Sequence, residues 1–235
     1  MKTRTARRLT ALLCPALVMS GCASLPEVGT ALTDQQRADA QKQCVAQYTA
    51  MGAIGGSLLG MLISSKSDRT QGALLGAVAG GALAFNIAWG KCLKYYSDVN
   101  SFPVADARQT AAAIGYTASR GNVVRIQSFL VTPAELAPGG SLRLTGAYYV
   151  MAPEGQQDVK VIEKRTVHYY NEAEKTWTEL GSEETPVTSA LGTRRAEGQT
   201  QMPKEMAEGR YRITFEVRAL DRQDLASQEI VVRKS

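Results

Sequence analysis

The chain has 235 residues, 44% of them apolar and 21% charged, with a formal net charge of +5. That length admits one or two domains, and a glycine-rich first half beside a second half of alternating apolar and polar residues favours two regions. The charge points to no anionic partner: Lys2, Arg4, Arg7 and Arg8 all precede the predicted cleavage point, which leaves 23 basic against 22 acidic groups after it. Nucleic-acid binding needs a clustered basic face, and beyond the pairs Lys164-Arg165 and Arg194-Arg195 the mature chain offers none, so nucleic acid is not an expected partner.

Residues 1–21 have the parts of an export signal: a basic start, an apolar run from Leu9 to Met19 too short to span a bilayer, then small residues ahead of a cysteine. Met19-Ser20-Gly21-Cys22 resembles the bacterial lipobox, with methionine in place of the usual leucine at its first position. The resemblance implies lipidation of Cys22 as the new N-terminus. Ala23, where aspartate would mark retention, implies sorting to the outer membrane with the rest of the chain facing the periplasm. The competing reading is an ordinary secretory signal with a chance cysteine. Each buried CH₂ of an acyl chain adds about 0.8 kcal/mol, so several chains together anchor firmly. No cofactor is expected beyond this lipid. Residues 22–32, with Pro26 and Gly29, read as a tether.

Residues 33–96 read as a helical hairpin. Thr33 fits an N-cap, and Gln36 three residues on completes a capping-box pattern, so one long helix is expected from Asp34 through Ile63. Gly52, Gly56 and Gly60 recur every fourth residue, as do Gly72, Gly76 and Gly80 after the polar turn Ser64–Gln71. Such rows let helix backbones approach closely in or against a membrane. The first apolar arm, Ala50 to Ile63, has 14 residues and the second, Gly72 to Gly90, has 19 with Asn86 as its one strongly polar member. A full span needs about 20, so tilt, a thin membrane or partial insertion is required. Tyr48, Trp89, Tyr95 and Tyr96, with Lys91 and Lys94, suit an interface at the open end of the hairpin. A soluble helical pair with a glycine seam is the alternative.

The stretches Met51–Gly60 and Gly72–Gly81 resemble the glycine-zipper lipoproteins of bacterial envelopes, the SlyB-like group, over residues 1 to 95. The resemblance implies self-association through Gly52, Gly56, Gly60, Gly72, Gly76 and Gly80 and a role in envelope integrity. It does not extend to the C-terminal half.

Of four cysteines, Cys14 leaves with the signal and Cys22 takes lipid, which leaves Cys44 and Cys92 as a candidate disulfide pair in an oxidising compartment. They sit 24 residues either side of Asp68, so an antiparallel hairpin brings them to one level. The glycine rows are symmetric about residue 66 instead, which offsets the cysteines by roughly 6 Å along the axis. Sliding helices, glycines facing different neighbours, and two free buried thiols all fit.

Residues 97–121 read as a helical connector in which Asp106 caps a short helix running to Ser119 and ending at Gly121. From Asn122 the pattern alternates. Runs at Val124–Leu130, Leu142–Val150, Val159–Tyr169, a strand opening at Trp177, Gln199–Met202, Tyr211–Val217 and Ile230–Val232 give about seven strands. The expected fold class is therefore α+β in separate regions, a glycine-zipper hairpin followed by an all-β immunoglobulin-like sandwich over residues 122–235. Gly209–Val217 resembles the penultimate strand of that fold, with Tyr211 as a tyrosine corner.

The chemistry expected is sparse. His168 is the only histidine and reads as an ordinary strand residue, and Glu172, Glu174, Glu183 and Glu184 fall in expected loops as solvated charges. No catalytic or metal-binding residue is expected, and the chain does not read as an enzyme. Tyr148, Tyr149, Tyr169, Tyr170 and Trp177 must include residues on both faces of their strands, so some are candidates for a binding surface. The sum is a structural or assembly role as an outer-membrane lipoprotein, with lipid, further copies of itself and another envelope protein as partners. A secretion or export pore, and a membrane-anchored binding or inhibitor module, are the competing readings.

Overall fold

A computed structural model describes residues 32–63, 83–153 and 158–234 together with Leu25, and residues 50–63 by main chain alone. The first helix, α1, runs Asp34–Ile63 as one element of 30 residues, about 45 Å long. Its start is the expected capping box: the Gln36 amide donates to Thr33 Oγ1 and the Thr33 amide to Gln36 Oε1. Gly52, Gly56 and Gly60 lie inside this helix. Cys22, Gly72, Gly76 and Gly80 lie outside the described residues.

The chain returns as helix α2, residues 83–91, followed across Cys92 by the single turn α3, Leu93–Tyr96. Nine strands follow among the described residues: β1 Asn100–Asp106, β2 Val123–Thr132, β3 Glu135–Leu136, β4 Ser141–Met151, β5 Asp158–Asn171, β6 Thr176–Ala190, β7 Gly192–Gln201, β8 Gly209–Ala219 and β9 Arg222–Val232. They form two sheets, one in the order β1-β7-β4-β2 and one in the order β3-β9-β8-β5-β6. Every pairing is antiparallel except the short β3–β9 contact.

The sheets face each other because their strands alternate. Along β8, Tyr211, Ile213, Phe215, Val217 and Ala219 are buried while the residues between them are partly exposed. Along β4, Leu142, Leu144, Tyr148 and Val150 do the same from the other sheet. Phe215 stacks on Phe129 of β2 at 5.6 Å and closes over Gly146 of β4, where an added Cβ would come within 2.9 Å of its ring. Close-packed interiors tolerate little such overlap.

The structure differs from the expected connector over 97–121. Its first part is β1, an edge strand paired with β7, and Pro103 sits there because an edge has outward positions that need no N–H. Asp106 does cap a helix, α4 Ala107–Ile114, by a reciprocal box with Gln109, but the helix ends at Gly115. Gly115 has φ of +62°, the left-handed conformation glycine adopts without strain. Gly121 instead closes a 3₁₀ turn, Ala118–Arg120. Glu183 and Glu184, expected in a loop, lie within β6. Glu172 and Glu174 do lie in the turn between β5 and β6.

Candidate functional site

The site best defined by the structure is the neck, where the helices meet the sheets. Cys44 of α1 and Cys92 between α2 and α3 form a disulfide with Cα atoms 6.0 Å apart, and both are buried. Ala40, Val45, Ala88 and Tyr95 pack around it as a small core. Gln41 of α1 adds a hydrogen bond from Nε2 to the Tyr95 carbonyl at 2.9 Å. The pair expected from sequence is therefore brought together.

Helix α2 is built into the end of the β-structure. Trp89 and Leu93 belong to the same buried cluster as Leu180 of β6, Met202, Met206, Tyr211 of β8 and Ile230 of β9. Gly90 crosses β6 at Gly181 so closely that a Cβ on Gly181 would lie 2.1 Å from the Gly90 carbonyl oxygen. Two glycines at one crossing let helix backbone rest directly on strand backbone. This corrects the sequence reading of the second arm as apolar to Gly90: Trp89 and Tyr95 are core residues at 1% and 3% exposure, not interfacial anchors. No helix among the described residues is long and apolar enough to cross a membrane.

Asn86 supplies the polar part of the dock. It is fully buried, its Nδ2 donates to Tyr211 Oη at 2.8 Å, and its Oδ1 accepts from the Ala207 amide at 3.1 Å. Tyr211 Oη in turn donates to the Ala207 carbonyl at 2.6 Å, so three groups satisfy one another in the interior. Burial drives the Tyr211 phenol well above its ordinary pKa. Burial likewise pushes Tyr96 of α3 up to about 12, with Glu205 adding to the rise.

A buried ionic chain runs from the core towards this neck. Tyr148 donates to Glu163 at 2.5 Å, and Arg165 lies 3.8 Å from Glu163 and 3.7 Å from Glu183. Burial raises the Glu183 carboxyl above the usual range, opposed by the charges of Arg165 and of Lys94 on α3. On the far face of the second sheet, the expected aromatic surface is present in part. Arg210 stacks over Tyr170 at 3.9 Å and Arg212 over Trp177 at 4.0 Å, while Tyr148 is buried inside. His168 lies on β5 opposite Glu179 and Arg212, and burial lowers its pKa.

Sequence reasoning singled out Cys44, Cys92 and Tyr211, and noted Asn86 without a role. It missed Gly181 and the docking of Trp89. An isolated glycine in a strand, and a lone asparagine in an apolar helix, were the available signals.

Residues 47–88 match the family model described as Glycine zipper 2TM domain. Over 158 residues the chain is 31% identical to Probable lipoprotein YiaD of Escherichia coli (strain K12), an alignment that covers 66% of this chain and 65% of that protein. The chain thus spans just under two thirds of the length of the curated relative it matches. Among solved structures, the alkylpurine DNA glycosylase AlkC of Pseudomonas fluorescens, bound to DNA containing an abasic site analogue, aligns with 86% of this chain and 48% of its own, at 13% identity and a TM-score of 0.38. The sporulation control protein Spo0M of Bacillus subtilis aligns with 48% of this chain and 50% of its own, at 10% identity and a TM-score of 0.34. Both scores are too low to carry an argument. Residues 47–88, which take in the second half of α1 and lead into the docked helix α2, are thus similar to a glycine zipper 2TM domain, and this match together with the lipoprotein relative supports a glycine-zipper lipoprotein.

Proposed function

We propose that the protein is an outer-membrane lipoprotein, anchored by lipid on Cys22, that self-associates through its glycine-zipper hairpin and holds an immunoglobulin-like sandwich in the periplasm. Its role is structural or assembling, not catalytic. The observation that carries this reading is the neck: the end of the second zipper arm is part of the core of the β-structure through Asn86 and Trp89, followed by Leu93 of α3. A hairpin joined in this way positions the sheets rigidly, so assembly of hairpins arranges the sheets in a defined array. The Cys44–Cys92 bond supports an oxidising compartment such as the periplasm. The Tyr211 hydroxyl bond to the backbone four residues upstream supports the immunoglobulin-like assignment.

Close helix packing at small residues drives the association proposed here. Replacing Gly56 and Gly76 together by leucine is expected to abolish oligomers trapped by crosslinking in native membranes, with monomer yield unchanged. Undiminished crosslinking in that variant overturns the reading. Identifying the proteins captured with the wild-type oligomer then names any further envelope partner.

A membrane-anchored binding module is the second reading, favoured by the Arg210–Tyr170 and Arg212–Trp177 stacks on the outer face of the second sheet. If it holds, Trp177→Ala in the full chain reduces partner capture and leaves the oligomer intact.

A further inference from the structure

Arg194 lies on the inward face of β7 and is only 7% exposed, at the side of the molecule where edge strand β1 of one sheet runs beside edge strand β6 of the other. Its Nε donates to Ser101 Oγ at 3.1 Å, its Nη2 to the Ser101 carbonyl at 3.0 Å and its Nη1 to Ser189 Oγ at 2.8 Å. All three acceptors are neutral. Among the described residues no carboxylate oxygen lies within 4.0 Å of this guanidinium, whereas Arg165, the other buried arginine, has two such neighbours. A guanidinium withdrawn from water without a counter-charge is costly, and Arg194 still has one N–H free on each terminal nitrogen.

Arg194 also lines a cleft of about 470 Å³ between the two edges. Val104 and Leu191 give the cleft apolar walls, and Asp106 stands at its rim. The Asp106 carboxylate caps α4 through the Gln109 amide at 2.8 Å and makes no ion pair within 4.0 Å with Arg194. We propose that this cleft binds a carboxylate, seated on Arg194, whose adjoining apolar group packs on Val104 and Leu191. A planar fork of N–H groups matches a carboxylate, and the nearby charge of Asp106 disfavours a doubly charged phosphate. The carboxylate comes from a free small acid or from the C-terminus of a peptide. Pro103 on β1 and Pro186 on β6 interrupt the outward N–H rows of both edges, so a peptide enters end-on and does not add as a strand.

The test is isothermal titration of the full-length protein in non-ionic detergent at constant ionic strength. The probes are N-acetylvaline and its amide, and trialanine and its C-terminal amide. Each acid is expected to bind at least about tenfold more tightly than its amide. Stronger binding of trialanine identifies a peptide terminus as the source, and stronger binding of N-acetylvaline a free acid. Arg194→Met is expected to abolish binding. Because that change also removes the tie between Ser101 and Ser189, Val104→Trp is the second variant: this position is 48% exposed, and the indole fills the mouth without touching those bonds. Val104→Trp is expected to keep the wild-type melting temperature and lose binding. Equal heats from acid and amide, no binding at millimolar ligand, or full binding in either folded variant overturns the proposal and leaves Arg194 as a tie between sheet edges.

Discussion

At the scale of residues, two buried hydrogen-bonded groups matter most because each joins different elements of the fold. Asn86 meets Tyr211 and Ala207, and Tyr148 meets Glu163. Their consequence is a pH dependence at the alkaline end. Tyr96, Tyr148 and Tyr211 all have pKa values raised above the ordinary 10, chiefly by burial. A group whose folded pKa exceeds its unfolded value contributes stability fully below the unfolded pKa and loses it as pH rises through the folded one. These three phenols therefore support the fold up to pH 10 and progressively less above it. Absorbance at 295 nm is expected to show them still protonated at pH 11 and ionising together with loss of the circular dichroism signal. Independent ionisation of every tyrosine near pH 10 in a folded protein would contradict this.

At the scale of elements, two contacts contribute to joining α1, α2 and the sheets. The first is the Gly90–Gly181 crossing. A methyl group at Gly181 would meet the Gly90 carbonyl at 2.1 Å, so helix or strand must move. Gly181→Ala is expected to destabilise the protein by about 2–3 kcal/mol, read as a lower urea midpoint with an unchanged slope. A neutral result would show that α2 does not rest on β6. The second contact is the disulfide, whose partners lie 48 residues apart. Cys92→Ser is expected to cost about 2–4 kcal/mol. A thiol count on the denatured mature protein without reductant is expected to find none, and two would show the pair unformed.

At the scale of the whole molecule, the boundary between helices and sheets falls earlier than alternation in sequence suggests. The β-structure needs Trp89 and Leu93 in its core and β1 along one edge. A fragment beginning at Asn122 is therefore expected to lack cooperative melting and to bind a hydrophobic dye, while one beginning at Leu83 melts cooperatively. Folding of the shorter fragment to the same melting temperature would refute the dock. The dock also shortens the second apolar arm. From Gly72 to Ala82 the sequence has 11 residues ahead of the docked helix, fewer than the roughly 20 apolar residues of a full span.

Much of this was legible in the chain. The capping box at Thr33 and Gln36, the span of α1, and the strands with strict alternation such as β4 and β8 all follow from local signals, because cap chemistry and side-chain periodicity act over a few residues. What tertiary structure alone decided is where the polar and small residues go. β7 reads Gly-Thr-Arg-Arg-Ala-Glu-Gly-Gln-Thr-Gln, which has no apolar rhythm, yet it is a central strand because β1 and β4 pair with both its edges. Trp89 and Asn86 look like an interfacial ring and a flaw in a membrane helix until β6 and β8 are brought beside them. Backbone pairing and shape fit between distant segments determine those positions, and neither leaves a periodic trace in the sequence.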